Sequence, residues 1–98
     1  MTLDEIQGLI VERDYDYSSK VREFMEDGWF CNEDLEECVL SAKAFYKVEN
    51  DEQKTSVDGK KYVILGKDGC GQWFYTCGKV KKNDDGKFYF FITAHRAE

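Results

Sequence analysis

Three Asp-Gly pairs occur at intervals in the second half of the chain and restrict how it can fold. They are Asp58-Gly59, Asp68-Gly69 and Asp85-Gly86. Glycine readily adopts the positive φ angles that tight hairpin turns need, and Asp favours the same turns through its side chain. The segments around these pairs are rich in β-branched and aromatic residues, which favour strands. Because the turns between them are short, neighbouring strands must be antiparallel. We therefore predict strands at 62–66, 72–80 and 87–93.

The first half of the chain has helical periodicity instead. Apolar side chains recur at helical spacing in three segments within residues 1–43. Residues that favour helix N-caps precede these segments: Thr2, then one of Asp16, Ser18 and Ser19, then Asn32. Gly28 stands where the second helix is predicted to end. The segment DYDYSS, residues 14–19, is predicted only to separate the first two helices.

A fourth strand is predicted immediately after Ala44, where the pattern changes to alternation. Alternation predicts Phe45 and Lys47 on one side of this strand, and Tyr46 and Val48 on the other.

These patterns predict an α+β fold with three N-terminal helices packed on one face of a four-stranded antiparallel β-meander. Ninety-eight residues with 42% apolar content provide one core, so we predict a single domain over residues 1–98. Its helical half is 1–43 and its sheet half is 44–98.

Both faces of the predicted sheet carry bulky side chains. In the last strand, alternation predicts two opposite sets, Phe88, Phe90 and Ile92 against Tyr89, Phe91 and Thr93. Because the helices cover only one face, the other is expected to expose aromatic side chains unless the first helix or a partner covers it.

Charge is distributed unevenly along this acidic protein. Residues 1–57 contain 6 Lys and Arg against 15 Asp and Glu, whereas residues 58–98 contain 8 against 5. The acidic helical half disfavours membrane surfaces and nonspecific nucleic-acid binding, and favours a protein partner with a basic surface. A local basic face on the sheet half leaves RNA binding open.

No run of eighteen apolar residues is present, and the first residues carry acids where a secretion signal has a basic start. We therefore expect a cytoplasmic protein. No cofactor or metal motif is recognisable, so neither a cofactor nor a metal is expected.

Four cysteines form two pairs with equal spacing, Cys31 with Cys38 and Cys70 with Cys77. Structural zinc sites usually use pairs only two to four residues apart, and cytosolic disulfides are uncommon. Free thiols in the core or on the surface are therefore favoured over a zinc site or a disulfide.

His95 is the only histidine, and it has no recognisable catalytic partner in the sequence. A basic group around the last hairpin is either a solvated edge or a surface for RNA. This group comprises Lys79, Lys81, Lys82 and Lys87.

Three stretches carry a resemblance to known proteins: SSKVREFMEDGWFCNEDLEECVL, YVILGKDGCGQWFYTCGKV and FYFFITAH. Over residues 18–95 they resemble a family of small bacterial domains of unknown function related to the RelE/BrnT-like toxins. In that family a Ser-x-His-Ala-x-x-Arg-Met segment, a Gly-Ile pair and an acidic Glu-Asp-Val/Leu-Glu-Glu segment precede the sheet. Its strands include one that ends in Leu-Gly and a final one that ends in Ile-Thr.

The chain departs from the family pattern at two polar positions. Lys20 replaces the family's histidine, and Phe24 replaces the following arginine, although Met25 and the acidic segment match. Toxin relatives cleave RNA with Arg, Lys, His or Glu side chains that activate the 2′-hydroxyl and stabilise charge on phosphate. The resemblance implies that the residues left for those roles are Lys20, Arg22, His95 and Arg96.

Two functional hypotheses follow, and the sequence leaves open whether the protein is an enzyme. The first is a non-catalytic protein-interaction or regulatory domain with a degenerate toxin-like fold, which is able to form a homodimer. Its candidate binding residues are Asp34, Glu36, Glu37, Trp73, Tyr75 and Tyr89. The alternative is a metal-independent endoribonuclease of a toxin-antitoxin type system, in which His95 is the general acid or base and Lys20 and Arg22 stabilise phosphate.

Overall fold

The computed structural model describes residues 1–97, which form three helices and five strands. The helices are α1 (Leu3–Val11), α2 (Ser19–Glu26) and α3 (Asn32–Ser41). The strands are β1 (Tyr15–Tyr17), β2 (Lys47–Asn50), β3 (Lys60–Lys67), β4 (Trp73–Asn83) and β5 (Gly86–Arg96). Within this described part, none of the helices has the length and apolar character needed to cross a bilayer.

The predicted α+β class is confirmed, and so is the antiparallel order of the four strands β2 to β5. The prediction of only four strands was wrong, because β1 pairs with β5 in parallel and makes the sheet mixed, in the order β1-β5-β4-β3-β2. This strand lies between α1 and α2, so helices and strands are interleaved. Three residues are too few to show strand periodicity in the sequence, which explains the omission.

Local capping explains where the helices begin and end. Thr2 caps α1, and Ser18 caps α2 with its hydroxyl accepting from the Val21 N–H at 3.2 Å. The cap of α3 is Cys31, one residue before the predicted Asn32. Gly28, with φ of 81°, follows the end of α2 as predicted.

Helix α3 lies directly against the backbone of β3 at Gly66. A Cβ atom at Gly66 would stand 2.0 Å from the Cys38 carbonyl oxygen, so only glycine fits this approach. One residue later, the Lys67 N–H donates to the Ser41 hydroxyl at 2.8 Å. The glycine therefore fixes how closely the helical layer packs on the sheet.

A β-bulge interrupts the pairing of β4 with β5. Thr93 pairs with Cys77 and Phe91 pairs with Gly78, so Ile92 is an extra residue in β5. The predicted grouping of Thr93 with Phe91 on one face was therefore wrong. Beyond the bulge, Ala94 is buried and His95 is exposed.

The chain before β2 does not follow the predicted alternation. The ring of Phe45 packs on the core residue Tyr62, with 4.4 Å between ring centroids, whereas Lys47 pairs with Val63 of the opposite face. Phe45 and Lys47 are therefore on different sides, contrary to the prediction. The regular strand begins only at Lys47, so the side chains of the residues before it do not have to alternate between the two faces.

The loop between β2 and β3 folds over the sheet face opposite the helices, which we call the second face. Lys79 projects from β4 into this loop and is only 2% exposed. Its ammonium group donates to Asp51 at 3.2 Å and to Gln53 at 3.0 Å. The predicted alternatives for Lys79, a solvated edge or an RNA surface, were therefore wrong, because its charge is buried and paired.

Asp51 organises this loop through several hydrogen bonds. Burial by itself would raise the pKa of Asp51. The N–H donors of Ser56 and Thr55 and the ammonium group of Lys79 outweigh this effect and lower the pKa to about 2. The carboxylate is therefore ionised across the neutral range and holds the loop over the second face.

We expect Gly66→Ala to lower the free energy of unfolding by about 1–3 kcal/mol, because the added methyl group meets the backbone of α3. Gly8→Ala is the matched control, since its Cβ would meet no atom within 4 Å. That change in the interior of α1 should stabilise the protein by about 0.5–1 kcal/mol. Urea unfolding measures both values, and equal effects of the two substitutions would contradict the close packing at Gly66.

We expect the stability contributed by Asp51 to depend on pH in one direction. Its folded pKa lies below the ordinary value of 3.8, so the contribution is complete above that value and disappears as the pH falls through about 2. The stability difference between wild type and Asp51→Asn should therefore shrink on acidification from pH 5 to pH 2. Urea unfolding at each pH measures it, and a constant difference would contradict the assignment.

Asp51→Asn also leaves the Lys79 ammonium group buried without its carboxylate. Near neutral pH the cost should be about 3–5 kcal/mol, as for other buried ion pairs that lose one partner. Adding Lys79→Met to Asp51→Asn removes the unpaired charge and should restore part of the stability.

Candidate functional site

Large aromatic side chains are exposed at one end of the sheet, where β4 begins and β5 ends. Trp73 is 52% exposed on the second face, and Trp29, in the connection between α2 and α3, is 62% exposed. Both tryptophans of the chain therefore meet solvent, although Trp is highly buried on average. We call the surface formed by Trp29, Trp73, Tyr75, His95 and Arg96 the aromatic end.

Cross-strand pairing orders the second-face part of the aromatic end. Tyr75 pairs with His95, and their rings stack with centroids 4.6 Å apart and an interplanar angle of 14°. Trp73 pairs with Lys67, whose ammonium nitrogen lies 3.8 Å from the centroid of the indole ring. Burial raises the pKa of Tyr75, so its hydroxyl remains protonated and able to donate. The result is a surface with both aromatic and cationic groups.

A cavity of about 330 Å³ opens at the same end, beside the last residues of β5. Its lining residues are Phe24, Trp29, Phe30, Ala94, His95 and Arg96. Phe30 and Ala94 are buried and belong to the core, whereas the two basic residues are exposed. The cavity therefore combines an apolar wall with the exposed cationic side chain of Arg96, which suits a large apolar group that carries negative charge.

A buried carboxylate holds Arg96 at the rim of this cavity. Asp68 accepts from the N–H groups of Cys70 and Gln72 at 2.9 Å through one oxygen. The other oxygen lies 3.6 Å from the Nε of Arg96. The hydrogen bond from Gln72 is the main reason that the pKa of Asp68 is lowered, and Arg96 adds to the effect. The Arg96 side chain remains 51% exposed.

Strand β1 pairs with only part of the outer edge of β5, the edge away from β4. Strand β1 pairs with β5 from Tyr89 to Phe91. The chain then turns into α2 at Ser18, whose hydroxyl donates to the Ile92 carbonyl at 2.8 Å. Within residues 1–97 no strand pairs with the outer edge of β5 beyond Phe91.

The four residues proposed for RNA cleavage do not meet in one cavity. His95 and Arg96 line the cavity of the aromatic end. Arg22 instead contacts Asp16 at 3.7 Å and lies over the ring of Tyr17. Lys20 is exposed in the first turn of α2. The His95 ring nitrogen Nδ1 lies 3.0 Å from the Arg96 carbonyl oxygen, which is a contact with backbone.

Three candidate binding residues have internal roles. Tyr89 is fully buried in the core, so the prediction that it binds a partner was wrong. Asp34 is 7% exposed, and its oxygens accept from the N–H groups of Cys31 and Gly69 at 3.0 Å, so it ties α3 to the β3–β4 turn. Glu36 accepts from the hydroxyl of Tyr15 at 2.5 Å. Both acids were predicted from helical charge alone, which does not reveal such partners.

Glu37, Trp73 and Tyr75 remain accessible on the surface. Trp73 and Tyr75 belong to the aromatic end, whereas Glu37 lies on α3. Trp29 was not predicted as a binding residue. Its position could have identified it, because Trp29 directly follows Gly28 and falls outside the helical periodicity that predicts burial for other apolar residues of the helical half.

The four cysteines do not converge. Cys38 and Cys77 are buried, whereas Cys31 and Cys70 are exposed, and all four are free thiols. Among residues 1–97, no group of three or more His, Cys, Asp or Glu side chains is arranged to hold a metal ion.

No protein-family model matches the chain, and neither the curated proteins nor the solved structures contain a significant match. The resemblance to toxin-related domains therefore stays a prediction.

We expect two classes of thiol in the native protein. Burial raises the pKa of Cys38 to about 11 and also raises the pKa of Cys77, so both should be poorly reactive. Titration with a disulfide reagent at pH 8 should label Cys31 and Cys70 rapidly, and the other two only after unfolding. A Cys31→Ser, Cys70→Ser variant should lose the rapid phase, and retention of that phase would contradict the assignment.

Proposed function

We propose that this chain is a non-catalytic protein-interaction domain with a degenerate toxin-like fold, and that the aromatic end is its binding surface. The observation that carries the proposal is the exposure of both tryptophans at the end of the sheet where Tyr75 stacks on His95. Trp, Tyr and Arg are the residues most enriched at the energetic centres of protein interfaces.

The energetics of burial favour a protein partner. Removing the apolar area of large aromatic side chains from water contributes much favourable binding free energy. Because these side chains have few rotatable bonds, ordering them on binding loses little conformational entropy. The Trp73 indole is also held in place by Lys67, so less freedom is lost on binding. The partner surface best suited to these groups has apolar side chains at its centre and acidic groups near Lys67 and Arg96.

The distribution of charged groups supports the aromatic end as the interface, rather than the acidic surface of the helices. Asp34 and Glu36 are engaged in internal hydrogen bonds and are poorly placed to bind a basic partner. The cations at the aromatic end, in contrast, lie beside accessible apolar area.

The ribonuclease alternative has one specific observation in its favour, which is that His95 and Arg96 line one cavity. Catalysis by the proposed set would require all its cations at one phosphate. Because Arg22 forms an ion pair with Asp16 and does not line this cavity, the geometry supports protein binding better than RNA cleavage.

We expect Trp73→Ala to weaken the stable complex with the cellular partner by at least about 30-fold, which is the loss of roughly 2 kcal/mol typical of an interface hot spot. Crosslinking in cells identifies the partner, and calorimetry with the two purified proteins then measures Kd. Val11→Ala is the control, because Val11 is even more exposed, at 65%, and lies on α1 outside the aromatic end. Its Kd should change by less than about threefold.

Equal effects of Trp73→Ala and Val11→Ala would contradict a specific surface at the aromatic end. Metal-free cleavage of RNA by the purified protein, reduced about 10²–10⁴-fold in His95→Ala, would instead establish the ribonuclease alternative. Size-exclusion chromatography with light scattering would show whether the partner is a second copy of the chain.

A further inference from the structure

Strand β2 forms the edge of the sheet that lies farthest from β1. We propose that this edge pairs with the same edge of a second copy of the chain, so that two five-stranded sheets join into one ten-stranded sheet. In this two-fold symmetric dimer the two Val48 residues lie opposite each other at the axis, and Lys47 of each copy lies opposite Glu49 of the other. The inference goes beyond the proposed function and does not rest on the aromatic end.

The outer edge of β2, on the side away from β3, is accessible. The side chain of Lys47 is 62% exposed, Val48 is 48% exposed, and Tyr46 just before the strand is 67% exposed. The loop after β2 leads away from this edge, since the Val57 N–H in this loop donates to the Val80 carbonyl of β4 at 2.9 Å. Within residues 1–97 no strand pairs with the outer edge of β2, and such an edge is a template for an added strand.

The pairing of β2 with β3 shows which backbone groups of β2 point outward. Asp51, the residue after β2, continues the register of these two strands and donates its N–H to the Gly59 carbonyl at 2.8 Å. Residues whose backbone groups bond to the same neighbour alternate along an antiparallel pair, so positions 47, 49 and 51 face β3. The N–H and C=O groups of Val48 and Asn50 therefore point to the outer edge.

Charge selects one register for the second copy. Backbone hydrogen bonds require outward-pointing residues to lie opposite each other, so the two-fold axis passes at position 47, 48 or 49. An axis at Lys47 opposes two ammonium groups and an axis at Glu49 opposes two carboxylates, and both arrangements are destabilising. An axis at Val48 lets the two Val48 residues exchange hydrogen bonds and places Lys47 opposite Glu49 twice.

These two charged side chains are available to a second copy. Within one chain the Lys47 ammonium nitrogen lies 4.0 Å from the Glu49 carboxylate, and the two side chains are 62% and 42% exposed. An exposed ion pair of this kind contributes little to the stability of the monomer. Lysine on an edge strand usually discourages pairing between chains. Here Glu49, two positions later, converts that repulsion into attraction when the second strand is antiparallel.

Sedimentation equilibrium of the purified full-length protein over roughly 5 µM to 1 mM should show a monomer–dimer equilibrium. Because β2 has only four residues and buries a small interface, we expect a Kd on the order of 10–100 µM. Lys47→Glu and Glu49→Lys should each raise Kd at least about tenfold, since each replaces two attractions per dimer by two repulsions. Lys82→Glu is the matched control, because it makes the same charge change at an exposed residue of β4 and should alter Kd by less than about threefold.

An equimolar mixture of the Lys47→Glu and Glu49→Lys proteins tests the register directly. In a mixed dimer the new carboxylate lies opposite the new ammonium group, and the remaining native Lys47 and Glu49 also lie opposite each other. The mixture should therefore dimerise with a Kd near that of wild type, although neither variant does so alone. This recovery cannot come from the ion pair within one chain, because both variants lack it.

Hydrogen exchange followed by NMR gives a second measurement. The Val48 amide should become protected as the protein concentration rises, whereas the Glu49 amide, which faces β3, should be protected at every concentration.

A mass of one chain at all concentrations, equal effects of Lys47→Glu and Lys82→Glu, no recovery in the mixture, or no added protection of Val48 would overturn the proposal. Trp73→Ala should dimerise like wild type, and its failure to do so would place the second copy at the aromatic end instead of β2. A monomeric wild-type protein that still binds its cellular partner in a Trp73-dependent manner would overturn the dimer and leave the proposed function intact.

Discussion

The bulge in β5 beside Gly78 is the constraint on which the rest of the sheet depends. Gly78 leaves room for the ring of Tyr89, since a Cβ there would lie 2.5 Å from ring atoms. Tyr89 therefore packs over β4 as one of the largest fully buried side chains. The extra residue Ile92 then reverses the alternation of β5, which directs Ala94 into the core and His95 to the second face. The Tyr75–His95 stack exists only because of that reversal.

The second face is protected in its centre and accessible at one end. The buried Lys79–Asp51 pair fastens the β2–β3 loop over β4, and the hydrogen bonds to Asp51 keep that loop in shape. Ion pairs of this kind give a defined geometry more reliably than net stability. Their consequence here is that exposed aromatic area on this face is concentrated near Trp73 and Tyr75. The position of one loop therefore limits which part of this face is accessible to solvent.

Local patterns allowed much of the fold to be predicted, and contacts between distant residues account for the rest. The Asp-Gly turns, the caps at Thr2 and Ser18 and the stop at Gly28 act within a few residues, so the sequence shows them directly. The burial of Lys79 depends on Asp51, 28 positions earlier, and the bulge depends on the partner strand. Similarly, Asp34 resembles any acid of an exposed helix until its contact with the β3–β4 turn is known.

The same irregularity that turns His95 outward also determines where the pairing of β1 with β5 ends. Ser18 bonds to the carbonyl groups of both Phe91 and Ile92, so β1 ends and α2 begins at the bulge. Beyond the bulge, β5 pairs with β4 as far as Arg96. Sheet edges are usually blunted by short strands, Lys, Pro or covering segments. Here a covering segment is used, because α2 begins at the bulge and Ala94 beyond the bulge is fully buried.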